Sequence, residues 1–346
     1  MMPDSDAVGH PVVNKSSNKT ELVVAGEYAG QRLDRFLASQ LSHLSRTRIQ
    51  SLVQGGLVRV LGAAIKPSYR VELGDRVTVE IPEPPAAGVE PEPIALEVLY
   101  EDEDIAVINK PAGMIIHPGA GAPGGTMVAA LLSRFGGSKG LSSVGGAMRP
   151  GIVHRLDKGT SGAVVIARSD LAHRKLVEEF QSRRVQKNYI ALLHGSLKEK
   201  SGTIDLPVAR DLRRRSRMTA RRREGREART DWRVLLQIDG FTFAEARLYT
   251  GRTHQIRVHF SAIGFPVVGD TLYGAPRQER VGSQLLPELD RNFLHSARLA
   301  FAHPTTGKAM EFRAPLPPEL REYVRALFQA AQRDPRAFDA NLKEYL

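Results

Sequence analysis

Cysteine is absent from all 346 residues, which excludes disulfides, a thiolate nucleophile and the Cys-ligated zinc of nucleobase deaminases. Long apolar runs are missing too. The opening MMPDSDAVGHPVVNKSSNKT holds none of signal-peptide length, and no segment approaches a membrane span, so a cytoplasmic protein without membrane attachment is expected. No Walker A segment occurs, which argues against an NTP-driven helicase. Gly119, Gly121 and Gly124 formally fit G-x-G-x-x-G, but Pro123 lies inside the turn and no acid follows about 20 residues later to hold a ribose. The glycine-rich stretch from Pro123 to Gly146 therefore reads as a flexible loop. His254 and His259 are five apart, not the four of a helical zinc pair, and no third ligand suggests itself. Neither a metal nor a cofactor is expected, and no solenoid repeat is visible.

What is present points to a globular protein whose basic charge, taken alone, fits a polyanionic partner and general solubility about equally. Hydrophobic residues make up 42% of the chain, enough for a substantial core in two or three domains. Lys and Arg number 49 against 38 Asp and Glu, for a net charge of +11 and a pI near 10.0, which suits RNA, DNA or an acidic membrane surface.

Residues 1–18 are polar and aperiodic and read as a disordered tail. From Gln31, the apolar residues Leu33, Phe36, Leu37, Leu41 and Leu44 recur at helical spacing. Ser45 offers an N-cap to a second helix through Ile49, Leu52 and Val53, which Gly55 and Gly56 end. Alternating strands follow at Leu57–Leu61 and Arg76–Ile81. The segment QRLDRFLASQLSHLSRTRIQSLVQGGLVRV, with the later GDRVTVEIP, resembles the small alpha-L type RNA-binding domain, placed at 19–82. That resemblance implies that Arg32, Arg35, Arg46 and Arg48 face phosphates. Leu61 before Gly62 departs from the family's usual Asn-Gly, so the local turn is expected to differ.

Prolines at 82, 84, 85, 91 and 93 mark a linker over 83–93. A mixed pattern follows over 94–332, with strands at Asp104–Asn109, Gly162–Ala167 and Phe241–Tyr249 and helices at Leu171–Ser182 and Pro318–Gln332. Residues 333–346 read as a C-terminal tail. The fold class is α+β, a mixed and largely antiparallel sheet flanked by helices.

In RPGIVHRLDKGTSGAVVIARS, residues 149–169, Asp157 stands between basic neighbours and a Thr-Ser-Gly turn leading into an apolar strand. Arg155 and Lys158 favour its ionised form, which is nucleophilic. On this segment alone, a surface Asp closing a turn is an equal reading. HRLDKGTSG, however, resembles the signature of the RluA/RluD family of RNA pseudouridine synthases. QKNYIALLHG, TGRTHQIRVHF with VVGDTLYG, and FLHSARLAFAHP resemble that family's further motifs in the same order, so the similarity spans roughly residues 30–316.

The resemblance implies the pseudouridine synthase fold, an RNA-modifying isomerase and no cofactor. It makes Asp157 the catalytic nucleophile, Tyr189 the ring against the target uracil, Arg257 the partner that keeps Asp157 ionised and oriented, and Arg155 a residue that helps open the RNA. A uracil within paired RNA cannot reach such a site, so the nucleotide should be flipped out. His154 is also placed to enter the gap or grip a phosphate, although a satisfied structural histidine is the reading we favour for it. The layout most resembles members acting on large-subunit ribosomal RNA, with RluD the nearest analogue.

Ten arginines fall within residues 210–229, against Asp211, Glu224 and Glu227, a net charge of +7 in 20 residues. The stretch interrupts two strand-like segments. It reads as a hairpin or loop, Arg213, Arg214 and Arg215 included, that follows the RNA backbone. The competing function class is a noncatalytic RNA-binding ribosome assembly factor, which has no need for Asp157, Tyr189 and Arg257 together. A monomer is the default expectation.

Overall fold

A computed structural model describes residues 14–16, 19–41, 44, 46–81, 88–119, 124–212, 214, 216–220 and 224–343. The chain divides into two compact units, residues 1–87 and 88–346. Among the described residues, no helix is long and apolar enough to cross a membrane.

The first unit runs β1 (Asn14–Ser16), β2 (Lys19–Val23), α1 (Leu33–Gln40), α2 (Arg46–Gln54), β3 (Val58–Val60), β4 (Ala63–Ala64) and β5 (Arg76–Glu80). Its sheet has the order β1-β2-β5-β3-β4, every pair antiparallel. β1 thus falls inside the stretch expected to be a tail. Leu33, Phe36 and Leu37 of α1 meet Ile49, Leu52 and Val53 of α2 over Val58, Val60, Val77 and Val79, as the helical and alternating patterns require. The expected cap at Ser45 lies outside the described residues.

Asp34, fully buried in the first turn of α1, accepts hydrogen bonds from Arg32 Nε (3.1 Å), Arg46 Nη2 (2.9 Å) and Gln50 Nε2 (2.8 Å). The Arg32 bond first, then Gln50 and Arg46, hold its carboxyl far below the usual range against the cost of burial. Of the four arginines expected to face phosphates, Arg46 therefore also clamps α2 to α1 and Arg32 ties back to the first turn of α1, with their side chains 48% and 41% exposed.

The second unit contains β6 (Glu97–Glu101), β7 (Ile105–Lys110), α3 (Met127–Arg134), β8 (Ser161–Ala167), α4 (Asp170–Gln181), β9 (Gln186–His194) and β10 (Ser201–Asp205). A short pair follows, β11 (Ala209–Arg210) with β12 (Met218–Thr219), then β13 (Arg229–Ile238), β14 (Phe241–Leu248) and α5 (Gln255–Ala262). A second short pair, β15 (Arg280–Val281) with β16 (Gln284–Leu285), precedes β17 (Leu294–Ala302), β18 (Ala309–Arg313), α6 (Pro318–Ala330) and α7 (Arg336–Leu342).

Nine strands form one mixed sheet of order β10-β13-β14-β9-β17-β8-β7-β6, with β18 also on β17. All pairs are antiparallel except β8 with β17. β8 is buried along its whole length: Val164 and Ile166 enter one core, and Ala163, Val165 and Ala167 the other. Such a strand must read as continuously apolar.

Two expectations are corrected. The glycine-rich stretch is not simply a loop, because α3 occupies Met127–Arg134, N-capped by Thr126, whose side chain accepts from Ala129 N, with Met127–Leu132 buried. The C-terminal stretch is not a tail as far as Leu342, because α7 buries Phe338 to 4% exposure, 5.1 Å from the ring of Phe243 and 6.2 Å from Phe328. A single aromatic in a polar heptapeptide gives no periodic signal, yet it covers the end of the main core.

Candidate active site

The segment leading into β8 alternates between anchoring and presenting side chains. His154 turns inward, Arg155 is exposed, Leu156 is 5% exposed in the main core, and Asp157 lines a cavity. His154 Nε2 accepts the Val165 N–H at 3.0 Å, and its ring stacks on Phe180 at 4.6 Å. β17 pairs with β8 only at Ser161 and Gly162, so His154 supplies an acceptor that the sheet does not. Burial, with a smaller push from Lys187, takes its pKa down to about 3. His154 is neutral and already hydrogen-bonded, which fits the favoured reading of a satisfied structural histidine and not the alternative of a grip on phosphate.

Lys110, at the end of β7, fixes the turn after Asp157 from below. Its side chain is fully buried and Nζ donates to Pro111 O (2.7 Å), Met114 O (2.9 Å) and Lys158 O (3.4 Å). Burial and Arg291 pull its pKa down to about 7, while Asp157 opposes them. Gly162 has φ +112°, and a Cβ there would stand 2.3 Å from Ser296 O. Only glycine lets β8 approach β17 this closely.

α5 delivers the counter-charge. Arg257 Nη1 donates to Asp157 Oδ2 at 3.2 Å. On its other edge, Nε and Nη2 hold both oxygens of buried Asp270 at 2.6 and 2.8 Å. A guanidinium gripped bidentately has one orientation, so Asp270 aims Arg257 at Asp157. Burial alone would lower the Arg257 pKa, but Asp270 and Asp157 outweigh it and hold it above the ordinary value.

His254 N-caps α5 in the left-handed conformation, φ 58°. Its Nε2 lies 4.0 Å from Asp157 Oδ2, and its Nδ1 2.8 Å from the Tyr273 hydroxyl. Tyr273 accepts from Met218 N at 2.8 Å, so the network closes when Tyr273 donates to Nδ1 and the Nε2–H faces Asp157.

Tyr189 lies on β9 and is 5% exposed. Burial, opposed by Ser296 and aided by Asp157, pushes its phenol well above the ordinary range, so the ring is neutral at physiological pH. Asp157, Tyr189, Arg257, Arg155 and His154 all line one cavity of about 570 Å³, a volume that takes a nucleotide-sized ligand.

Other expected site residues lie elsewhere. Arg32, Arg35 and Arg46 are in the first unit. Arg214 is exposed in the β11–β12 hairpin. The side chains of Arg48, Arg213 and Arg215 lie outside the described residues. Four residues at or beneath the cavity went unassigned from sequence: Asp270, His254, Tyr273 and Lys110. The first three sit inside TGRTHQIRVHF and VVGDTLYG, so those segments carried the signal. Lys110 had none beyond its place at the end of an apolar strand.

Comparison with known proteins shows the family. Residues 104–262 match the RNA pseudouridylate synthase family, and residues 31–77 match the S4 domain. An uncharacterized RNA pseudouridine synthase of Bacillus subtilis is 43% identical over 90% of this chain and 98% of its own. A ribosomal large subunit pseudouridine synthase D of Zymomonas mobilis is 41% identical over 87% of this chain and 95% of its own. The structure of human RNA pseudouridylate synthase domain containing 1 superposes with a TM-score of 0.51 at 29% identity, over 70% of this chain and 90% of that one. Similarity of this degree over most of the chain means that it belongs to the RNA pseudouridylate synthase family, an isomerase family, and carries an S4 domain at its N-terminal end.

Proposed function

We propose that this protein converts specific uridines of large-subunit ribosomal RNA to pseudouridine, with Asp157 as the catalytic carboxylate acting on a nucleotide flipped out of the RNA. The observation that carries the reading is the Asp157 carboxylate 3.2 Å from Arg257, in a cavity it shares with Tyr189. The reaction breaks the bond from the sugar to uracil N1 and forms one to ring carbon five, which loses a proton while N1 gains one. No electrons are exchanged, so the balance calls for no redox partner. A carboxylate serves this chemistry by attacking the uracil ring, by attacking the anomeric carbon, or as a base on the sugar.

Arg257 fixes the carboxylate through an ion pair in a partly water-excluded site, where such a pair is stronger than in bulk water. Tyr189, neutral and rigidly buried, offers a face for the detached base to stack on while it turns. Eversion costs a few kcal/mol, and exposed Arg155 beside Asp157 is the group placed to fill the vacated stack. The ribosomal target is supported by relatives named for the large subunit at about 40% identity.

Comparing pseudouridine maps of ribosomal and transfer RNA from cells with and without this protein tests the assignment. Sites in large-subunit RNA should disappear on deletion. Loss confined to transfer RNA, or no loss at all, would overturn it.

A further inference from the structure

Lys187 is the cavity-lining cation that the proposed chemistry leaves unused. It lies on β9 two residues before Tyr189 and so on the same face of the strand, roughly 6–7 Å along it. Its side chain is only 8% exposed. Among the described residues its ammonium has no hydrogen-bond acceptor and no carboxylate. The feature nearest to a partner is the ring of Phe180, 5.6 Å from Nζ to the centroid.

Arg252 increases the excess of positive charge. It lines the same cavity, and its Nε donates to Glu227 O at 2.9 Å, while its terminal amino groups have no partner among the described residues. Arg183 also lines the cavity and takes the Glu227 carboxylate at 2.9 Å. The Glu227 carboxylate is thus taken by Arg183, and among the described residues neither Lys187 nor Arg252 has a carboxylate within ion-pair distance. Burial, and the neighbouring Arg252, pull the Lys187 pKa down to about 8. An ammonium buried without a counter-ion costs stability, and a site keeps one where a guest supplies the missing charge.

We infer that Lys187 and Arg252 form a phosphate subsite that holds a phosphodiester next to the flipped uridine. Phosphodiesters are the anions that RNA brings. A compact ammonium beside a guanidinium is a pairing suited to one. Tyr189 on the base and Lys187 on an adjoining phosphate would fix a nucleotide at two points of one rigid strand, setting the angle at which it meets Asp157. This inference rests on the RNA-modifying reading above.

The test uses the full chain and an RNA hairpin containing a uridine that the wild-type protein converts. Methylphosphonate, which is uncharged, replaces the linkage on either side of that uridine in turn. At one of the two linkages wild-type affinity should fall roughly tenfold or more, whereas the double variant Lys187→Met with Arg252→Gln should bind charged and uncharged RNA within about twofold of each other. In the absence of RNA, Lys187→Met should melt at a higher temperature than wild type, because it removes an uncompensated buried charge. Equal losses in both proteins, no loss at either linkage, or a lower melting temperature would each overturn the subsite. If wild-type protein converts no uridine in ribosomal RNA, the functional reading fails first and the subsite with it.

Discussion

At the scale of single residues, the site is built from side chains whose other edge is already occupied. Asp270 holds two donors of Arg257, so that only its Nη1 edge faces Asp157. His154 is spent on Val165 N and Phe180. With a folded pKa of about 3 and an unfolded value near 6.5, His154 favours the folded state fully above about pH 6.5, and that contribution is lost as the pH falls toward 3. Over that window the unfolded chain binds the extra proton. In denaturant titrations at pH 6.5, 5.5 and 4.5, His154→Gln should therefore lose stability less steeply than wild type, by about 1.4 kcal/mol per pH unit. Parallel profiles would mean that His154 does not titrate as its burial implies.

Asp157, Tyr189 and Arg257 are far apart in sequence, and no local periodicity signals that they meet. Their pairing was legible only through resemblance of motifs. Asp270 and His254 lie in those same motifs, but residue type alone does not announce a side chain whose work is to orient a neighbour.

At the scale of elements, the hydrophobic patterns marked α2, α4, α6, β7, β8 and β14 to within about two residues, since each buries one face or both, whereas α1 ends at Gln40, short of the pattern's last residue Leu44. Failures had local causes. Glycines on both sides of α3 hid a short apolar helix, and α7 packs on the core through Phe338. With Leu61 where the family usually has Asn, the turn between β3 and β4 has the type I′ pattern that Asn-Gly favours: Val60 pairs with Ala63, and Leu61 and Gly62 both take positive φ, 50° and 83°. A 70% exposed leucine in that conformation is strained and gains little from burial. Leu61→Asn should raise stability by roughly 0.5–1 kcal/mol in chemical denaturation, and no gain would refute the strain. The arginine-rich stretch does contain a hairpin, β11 with β12, tied to the site by Met218 N and by Arg217 stacked 5.2 Å over Tyr273. Changing Arg213, Arg214 and Arg215 to Ser should reduce the salt slope of RNA binding by about 2, whereas an unchanged slope in filter binding would remove the hairpin from the interface.

At the scale of the molecule, two units with separate cores divide the work. The cavity and every residue around Asp157 belong to residues 88–346. A chain begun at Gly88 should fold cooperatively and still convert uridine in a short RNA, with weakened affinity as its main defect. Loss of turnover at saturating RNA would show that the first unit takes part in the chemistry.

The most direct measurement compares wild type with Asp157→Asn in a single-turnover assay of uridine conversion, alongside RNA binding under the same conditions. Asparagine keeps the shape and removes the charge that Arg257 holds in place. Conversion should fall by roughly 10³-fold or more while binding stays within about threefold. Conversion at the wild-type rate with intact binding would mean that the carboxylate is not the catalytic group.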